Sequence, residues 1–190
     1  MDDLRLLERI AEVRARAGRP IVVGISGFGG AGKSTLARRL TPQIEGAYRL
    51  RGDDFLDPAR SHRRSSDWDG VERSRLVSEV LAPVRDGRES TFRRYDWSFG
   101  RLAAPEPTPK ADVLVVDLVG LFHPEAKDAL DLAIWCDVDL ETAARQGMAR
   151  DFALGRSHPD LWRNVWVPND ADFARRFSPR EYADILFTTD

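Results

Sequence analysis

The 190-residue sequence has a single cysteine, Cys136, and no apolar stretch of the length that crosses a membrane. One cysteine cannot form an internal disulfide, which fits a reducing compartment. A transmembrane helix needs about 20 mainly apolar residues, and the first residues do not combine a basic segment with an apolar one as a secretory signal does. These absences predict a cytoplasmic protein without a membrane partner. Cys136 itself lies in an apolar segment and is expected in the core.

An excess of charge of one sign is also missing. Lysine and arginine together number 29, aspartate and glutamate 31, and the formal net charge is −2. The sequence has no basic stripe with interleaved aromatic residues, so a nucleic-acid partner is not predicted. The hydrophobic fraction of 42% and the charged fraction of 32% are ordinary for a globular protein. A chain of this length suits one domain, which we predict to span residues 1–190.

What the sequence does contain is a glycine-rich segment over residues 27–35, Gly-Phe-Gly-Gly-Ala-Gly-Lys-Ser-Thr. Gly27, Gly32, Lys33 and Ser34 match the phosphate-binding pattern G-x-x-x-x-G-K-[ST]. The glycines allow the backbone to wrap around a polyphosphate with its N–H groups pointing inward. Lys33 can reach the β- and γ-phosphates, and the Ser34 hydroxyl can bind the accompanying Mg²⁺. The predicted nucleotide-binding residues are Gly27, Gly29, Gly30, Ala31, Gly32, Lys33, Ser34 and Thr35.

The segments around this loop predict a strand before it and a helix after it. Residues 20–26 are apolar and β-branched, as in a buried parallel strand, and Leu36, Ala37 and Leu40 recur at helical spacing. Phosphates would therefore lie at a helix N-terminus, where the dipole and free N–H groups favour anions. Four further strands are predicted over 47–51, 112–117, 132–136 and 183–187. Their alternation with helices predicts an α/β three-layer fold of the P-loop NTPase type, with a mostly parallel five-stranded sheet and helices on both faces.

Two predicted helices and one predicted extended segment lie between these strands, and each has a local sequence signal. Residues from Asp69 to Glu72 have the form of a capping box, which predicts a helix that starts there. Residues 91–97 favour an extended segment, as in part of a hairpin. A second helix is predicted near residues 140–152 from apolar residues at helical spacing. The members of this expected buried face are Leu140, Ala144, Met148 and Phe152.

Acidic residues stand at the carboxyl ends of two predicted strands. Asp53 and Asp54 follow the strand at 47–51, and Asp117 ends the strand at 112–117. Ligands of open α/β sheets collect at this edge. A carboxylate there can accept the proton of an attacking hydroxyl group or help to hold Mg²⁺. A solvated turn or a structural carboxylate is the alternative interpretation at each of these positions.

Three arginines, Arg145, Arg150 and Arg156, lie along or just beyond the helix predicted near 140–152. Guanidinium groups that close over a triphosphate would neutralise the charge that develops on the transferred group. Exposed arginines on helices are usually solvated instead, so the residues alone leave both interpretations open.

The ordered motifs resemble those of the uridine kinase family, within the wider group that contains phosphoribulokinase and bacterial pantothenate kinase. Residues 24–35 are very similar to the phosphate loop of that family. Residues 53–56, Asp-Asp-Phe-Leu, resemble its Asp-x-Phe motif, and Trp68-Asp69 resembles an aromatic-Asp pair that binds substrate hydroxyls. Residues 95–97, Tyr-Asp-Trp, resemble a motif beside the acceptor pocket. Residues 150–156 resemble the mobile lid, and residues 182–185 resemble the final strand.

This resemblance implies roles for individual residues. The first aspartate of the Asp-x-Phe motif is the catalytic base in the family, which assigns that role to Asp53. The implied catalytic residues are Asp53, Lys33, Arg150 and Arg156, and the implied Mg²⁺ ligands are Ser34 and Asp117. The acceptor would be bound by Asp53, Asp69 and Tyr95, and Arg101, which no motif of the family covers, is a further candidate for this role. The lid would cover about residues 145–160 and an acceptor-side insertion about residues 56–108, and a homo-oligomer is left open.

Some positions depart from the family's pattern. A histidine that helps to read the base in uridine kinases is replaced by Gly100, and a lid arginine is replaced by Gly147. The His-Pro that usually follows the substrate-binding aspartate is replaced by Gly70-Val71. The strand predicted over 112–117 usually ends in Glu-Gly, whereas here it ends in Asp117-Leu118. A pocket built to hydrogen-bond one chemical group rejects analogues that leave its polar groups unpaired, so these changes bear on the substrate.

The sequence therefore predicts an ATP- and Mg²⁺-dependent kinase that transfers the γ-phosphoryl group to a hydroxyl of a nucleoside-like small molecule. Pantothenate, a sugar or a sugar phosphate are alternative acceptors. A nucleotide-binding regulator or assembly ATPase that phosphorylates nothing is the alternative from another class. Such a protein would not need an acceptor base at Asp53.

Overall fold

The computed structural model describes residues 2–188 and contains a five-stranded parallel sheet at its centre. The strands are, in chain order, β1 Ile21–Ser26, β2 Ala47–Arg51, β3 Thr91–Phe92, β4 Tyr95–Asp96, β5 Arg101–Leu102, β6 Glu106–Pro107, β7 Val113–Asp117, β8 Leu132–Cys136 and β9 Ile185–Phe187. Strands β2, β7, β1, β8 and β9 form the central sheet in this order, and all neighbours are parallel. The predicted fold class and the five predicted strands are confirmed.

Helices connect these strands. They are, in chain order, α1 Asp3–Ala17, α2 Lys33–Leu40, α3 Pro58–Ser61, α4 Arg73–Leu76, α5 Ala82–Arg85, α6 Pro124–Lys127, α7 Leu140–Ala153, α8 Pro159–Leu161, α9 Val167–Phe177 and α10 Pro179–Tyr182. Two π-helical segments, Val77–Leu81 and Trp162–Trp166, join α4 to α5 and α8 to α9. Short 3₁₀ helices cover Thr41–Gln43 and Gly52–Phe55. Among the helices of residues 2–188, none has the length and apolar character that a bilayer crossing requires.

The three inner strands β1, β7 and β8 are buried on both faces, because successive side chains point to opposite sides of the sheet and helices cover both sides. Ile21, Val23 and Ile25 of β1 pack in one core with α1 and α2. Val22 faces a second core, which contains side chains of the helical segment 73–85 and of α9. The structure thus has three layers. Cys136 lies in the first core, where burial raises the pKa of its thiol to about 11.

Two predicted helix features are wrong. The capping box does not form: α4 begins at Arg73, and no side chain caps it. The residues before it are extended because Val71 pairs with Leu56 across an antiparallel bridge. Of the buried face predicted for α7, Ala144 is buried, but Phe152 is 76% exposed, and the other buried residues of the helix are Ala143, Gly147 and Asp151. Small residues occupy the inward face because another part of the backbone approaches it closely, as described below.

The region between α5 and β7 forms an outward extension rather than part of the sheet. Strands β3 and β6 pair in antiparallel fashion, and so do β4 and β5. The tip lies between β4 and β5, where Asp96 accepts hydrogen bonds from the backbone N–H groups of Ser98 and Phe99. The extended segment predicted near 91–97 therefore contributes two short strands of this extension.

Candidate active site

The phosphate loop runs from the end of β1 to the start of α2 and lies against α7. Gly30 has a φ of +87°, which favours glycine, and a Cβ atom there would come within 2.0 Å of the Ala143 carbonyl oxygen. The same atom would lie 2.7 Å from the Gly147 backbone nitrogen. Gly30 therefore meets both a conformational and a packing requirement. This close approach explains why the inward face of α7 carries small residues.

The polar groups of the loop are arranged for an anion. Gly32 caps α2 in a left-handed conformation without a side-chain hydrogen bond, so the N–H groups of Lys33 and Ser34 stay available, whereas that of Thr35 donates to the Gly32 carbonyl oxygen at 3.0 Å. The Lys33 ammonium group lies over the loop and donates to the carbonyl oxygens of Gly27 at 3.0 Å and of Phe28 at 2.7 Å. The positive side chain of Lys33 and the N-terminus of α2 thus lie at the same loop, and both favour an anion there.

A pocket of about 850 Å³ opens beside this loop. Lys33, Ser34 and Thr35 line one side, and Gly147 and Arg150 of α7 line the other. Its size and its positive lining fit a nucleoside triphosphate. Gly30 and Gly32 also border it, whereas Gly27 and Ala31 are buried and shape the loop from behind. The structure therefore brings Arg150 to the same pocket as five of the predicted phosphate-binding residues, whereas Gly27, Gly29 and Ala31 do not line it.

The lid residues differ in their contacts. The Arg150 guanidinium group donates to Asp151 Oδ1 through Nε at 3.0 Å and through Nη2 at 2.7 Å. Asp151 also accepts a hydrogen bond from Trp162 Nε1 at 2.9 Å. Arg156 lies beyond the end of α7 and is exposed, and it is not among the residues that line the pocket.

The predicted Mg²⁺ ligands fit the metal unequally. Ser34 lines the pocket beside Lys33, where its hydroxyl oxygen can face a phosphate-bound ion. Asp117 is buried at the end of β7, and Arg49 of β2 holds both of its oxygens, with Nε at 2.7 Å and Nη2 at 2.9 Å. Each oxygen keeps a second lone pair, so Asp117 can still accept a hydrogen bond from a metal-bound water.

The two aspartates after β2 have different environments. Asp53 has a side chain that is 48% exposed, and its nearest cationic atom is Arg51 Nη2 at 3.7 Å. Asp54 is buried, and Arg94 Nη1 donates to its Oδ2 at 3.2 Å. Burial raises the pKa of the Asp54 carboxyl, against the opposing charges of Arg51 and Arg94. Asp54 is thus a structural carboxylate, and Asp53 is the one that a ligand can reach.

Backbone packing holds Asp53 at the sheet edge. A Cβ atom at the preceding Gly52 would lie 2.4 Å from the carbonyl oxygen of Asp117, so only glycine fits between the ends of β2 and β7. This contact places the 3₁₀ turn of Asp53 directly over the end of the neighbouring strand.

The residues predicted to bind the acceptor do not form one cluster. Strand β4, which contains Tyr95, packs against the turn at Gly52–Phe55. Arg101 lies on the paired strand β5, with its guanidinium carbon 5.6 Å above the ring of Phe99. Asp69 instead lines a separate depression of about 390 Å³ beside Arg60 and His123. The bridge between Leu56 and Val71, described above, directs the segment that carries Asp69 to this position.

Gly100 lies at the tip of the extension with a φ of +64°. A Cβ atom there would be 3.8 Å from the Tyr95 hydroxyl oxygen. A side chain at position 100 would therefore stand next to Tyr95, but its backbone would be strained.

Sequence reasoning missed one buried residue that touches the phosphate loop. Asp170 of α9 accepts a hydrogen bond from the backbone nitrogen of Gly29 at 2.7 Å and another from Trp68 Nε1 at 3.0 Å. Burial raises the pKa of its carboxyl to about 6. No local signal separates this residue from Asp172, two positions later on the same helix, whose carboxylate pairs with Arg64 and Arg175 near the surface.

Comparison with known proteins gives consistent matches. The model of the phosphoribulokinase/uridine kinase family matches residues 22–188. A uridine kinase from Leuconostoc citreum is 32% identical over 147 residues, which cover 70% of this chain and 69% of that protein. A phosphoribulokinase from Synechocystis is 24% identical over 177 residues, which cover 88% of this chain and 53% of that protein.

Solved structures show the same fold. The structure of a possible uridine kinase from Bacillus stearothermophilus superimposes with a TM-score of 0.70 at 15% identity, covering 96% of this chain and 99% of that one. A candidate fructose transport system kinase from Silicibacter superimposes with a TM-score of 0.75 at 19% identity, covering 98% and 99%.

Proposed function

The chain belongs to the phosphoribulokinase/uridine kinase family, and we propose that it transfers the γ-phosphoryl group of ATP to a hydroxyl group of a small, nucleoside-like molecule. Lys33 and the amides of the phosphate loop would hold the β- and γ-phosphates. Asp53 would accept the proton of the attacking hydroxyl while the new O–P bond forms and the bond to the ADP oxygen breaks. The products are ADP and the phosphorylated acceptor.

The observation that carries this proposal is the contrast between Asp53 and Asp54. Within residues 2–188 the Asp53 carboxylate makes no hydrogen bond, although cationic Arg51 lies nearby at 3.7 Å. Asp54 is buried and accepts a hydrogen bond from Arg94. A free carboxylate at the ligand-binding edge of an α/β sheet can act as an acceptor base. A protein that only binds or hydrolyses nucleotide has no need for it.

Charge neutralisation would come from the lid and from the metal. Arg150 lines the pocket, and Arg156 lies three residues beyond the end of the same helix. Once Arg150 leaves Asp151, its guanidinium group can turn toward the transferred phosphoryl group, with Arg156 closing after it. Ser34 would hold Mg²⁺ together with Asp117, the latter through water, and the ion would supply positive charge that offsets the charge of the phosphates.

The acceptor would lie between Asp53 and the extension that carries Tyr95 and Arg101, with Asp69 reaching it only if its segment moves. Trp97 and Phe99 of this extension are 43% and 72% exposed. Exposed aromatic rings offer flat faces for a planar group such as a nucleobase. These rings favour a nucleoside-like acceptor, although the turn at Gly100 lacks the histidine of uridine kinases. Pantothenate, a sugar and a sugar phosphate are the alternative acceptors.

The experiment that tests this proposal is a measurement of ADP release from Mg-ATP with nucleosides, pantothenate, sugars and sugar phosphates. We expect one class to stimulate turnover. The variant Asp53→Asn should reduce the stimulated rate by roughly 10²- to 10⁴-fold, as expected for a lost general base, while the Kd of Mg-ATP changes little. Asp86→Asn, at an exposed carboxylate that pairs with Arg88, is the matched control and should behave as the wild type. Slow turnover that no compound stimulates, and that Asp53→Asn leaves unchanged, would instead identify a nucleotide-binding regulator or assembly ATPase.

A further inference from the structure

Asp170 is a buried carboxylate that makes no ion pair within the described part of the chain. Its two oxygens accept hydrogen bonds from neutral donors, Gly29 N at 2.7 Å and Trp68 Nε1 at 3.0 Å. A buried charge without a bonded cation is costly, and a neutral residue would fill the same space at lower cost. We therefore attribute the presence of a carboxylate at this site to the two donors that it binds, and not to the stability of α9.

The first donor belongs to the phosphate loop. The N–H of Gly29 and the C=O of Phe28 are the two ends of one planar trans peptide, so they point in opposite directions. Asp170 holds the N–H end, and the Lys33 ammonium group donates to the C=O end at 2.7 Å. Fixing the N–H end thus helps to fix the direction of the carbonyl that Lys33 contacts, together with the Ala31 N–H, which donates to the same carbonyl at 3.0 Å. Asp170 acts on Lys33 through a single peptide unit.

The second donor belongs to the acceptor-side segment. Trp68 is buried and immediately precedes Asp69, and its φ of +54° is uncommon for a residue with a bulky side chain. Its carbonyl oxygen accepts a hydrogen bond from Arg73 Nη2 at 3.1 Å. The indole N–H and the carbonyl therefore anchor this strained residue from two sides. Asp170 supplies the acceptor for one of these anchors.

The surroundings keep water away from these hydrogen bonds. Trp162 is buried, and a Cβ atom placed on Gly29 would lie 3.2 Å from its Cζ3 atom and 3.4 Å from Asp170 Oδ2. Hydrogen bonds in such a site are stronger than hydrogen bonds in water. Gly29 is thus enclosed by an aromatic ring and a carboxylate.

We propose that Asp170 is a positioning residue that holds the phosphate loop in its ATP-binding shape and connects it, through Trp68, to the segment that carries Asp69. This inference rests on the proposed kinase activity. It requires that loss of the Gly29 contact weakens ATP binding. It also requires that loss of the Trp68 contact affects mainly the acceptor.

The test is a cycle of Asp170→Asn, Trp68→Phe and the double variant. An asparagine presents one oxygen and one NH₂ group to two N–H donors, so one donor of Asp170→Asn must face another donor. Removing the indole N–H in the double variant allows the asparagine oxygen to turn to Gly29. Asp172→Asn, on the same helix and near the surface, is the matched control.

We expect Asp170→Asn to raise the Kd of Mg-ATP, measured by titration calorimetry, by at least about tenfold. Trp68→Phe should change the KM of the acceptor, because the segment that carries Asp69 loses one of its anchors, and should leave the Kd of Mg-ATP within about twofold of wild type, because the carboxylate still holds Gly29. The double variant should regain most of the lost ATP affinity, whereas a merely structural role would give additive losses and a lower melting temperature.

The two proposals fail in different ways. If wild-type protein binds Mg-ATP and transfers phosphate, but Asp170→Asn changes neither the Kd nor the turnover number, the inference about Asp170 is overturned and the kinase stands. Additive losses in the double variant overturn it as well. If the wild-type protein phosphorylates no acceptor, the proposed function fails first. If Asp170→Asn does not fold, Trp68→Phe decides alone, and an unchanged acceptor KM overturns the link.

Discussion

At the scale of single residues, Asp170 makes the stability of the fold depend on pH near neutrality. Burial raises the pKa of its carboxyl from an ordinary 3.8 to about 6, and Lys33, the charged group that faces it, opposes this shift. The native state therefore binds the proton more tightly than the unfolded state does. Its contribution to the free energy of unfolding is fully present below pH 3.8 and is lost as the pH rises through 6. At pH 7 the ionised carboxylate costs about 3 kcal/mol.

We therefore expect the free energy of unfolding to fall less in Asp170→Asn than in the wild type when the pH is raised from 4.5 to 7.5. Urea unfolding at both pH values gives the two free energies of unfolding. Depressed pKa values at His62 and His123 affect both proteins equally and cancel in the comparison. Parallel pH profiles for the two proteins would contradict the assigned burial of this charge.

At the scale of elements, the contact between α7 and the phosphate loop determines which side chains the lid helix can carry. Gly147 packs below Trp162, and a Cβ atom there would lie 2.2 Å from Cη2 of the indole ring. Trp162 fills the space next to Gly147, so a larger side chain at this position requires the indole ring to shift.

We predict that Gly147→Ala destabilises the protein by about 1–3 kcal/mol through overpacking. This would reverse the usual gain of about 1 kcal/mol for Gly→Ala within a helix. Urea unfolding measures the change, and Arg145→Ala on the exposed face of α7 is the control. In a Trp162→Leu background, Gly147→Ala should cost less than it does in the wild type, because the ring atoms that it would meet are absent. A stabilised Gly147→Ala variant would show that the helix does not approach Trp162 so closely.

At the scale of the whole molecule, the nucleotide pocket joins α2, α7 and the end of β9, so its ligand should stabilise all three together. A ligand at 100 times its Kd adds about 2.7 kcal/mol to the free energy of unfolding. For a chain of this size, that corresponds to a rise in Tm of roughly 5–10 °C.

We expect Mg-ATP to raise the Tm of the wild type by this amount and to have little effect on Lys33→Ala. Thermal unfolding followed by circular dichroism measures both. Lys110→Ala removes one of the other lysines, at an exposed ion pair with Glu89, and should keep the full shift. An equal shift in Lys33→Ala would place the nucleotide elsewhere.

The sequence by itself determined the sheet, the phosphate loop and the family. Apolar β-branched runs predict buried parallel strands, and the spacing of Gly27, Gly32 and Lys33 specifies a local backbone shape, so neither requires distant contacts. The tertiary structure decided which carboxylates are exposed and which are buried or paired. Asp53 and Asp54 are adjacent and chemically identical, and burial of Asp54 together with its contact to Arg94, which is distant in sequence, distinguishes them. The same holds for Asp170 and Asp172, because burial depends on what packs against a helix and not on its own sequence.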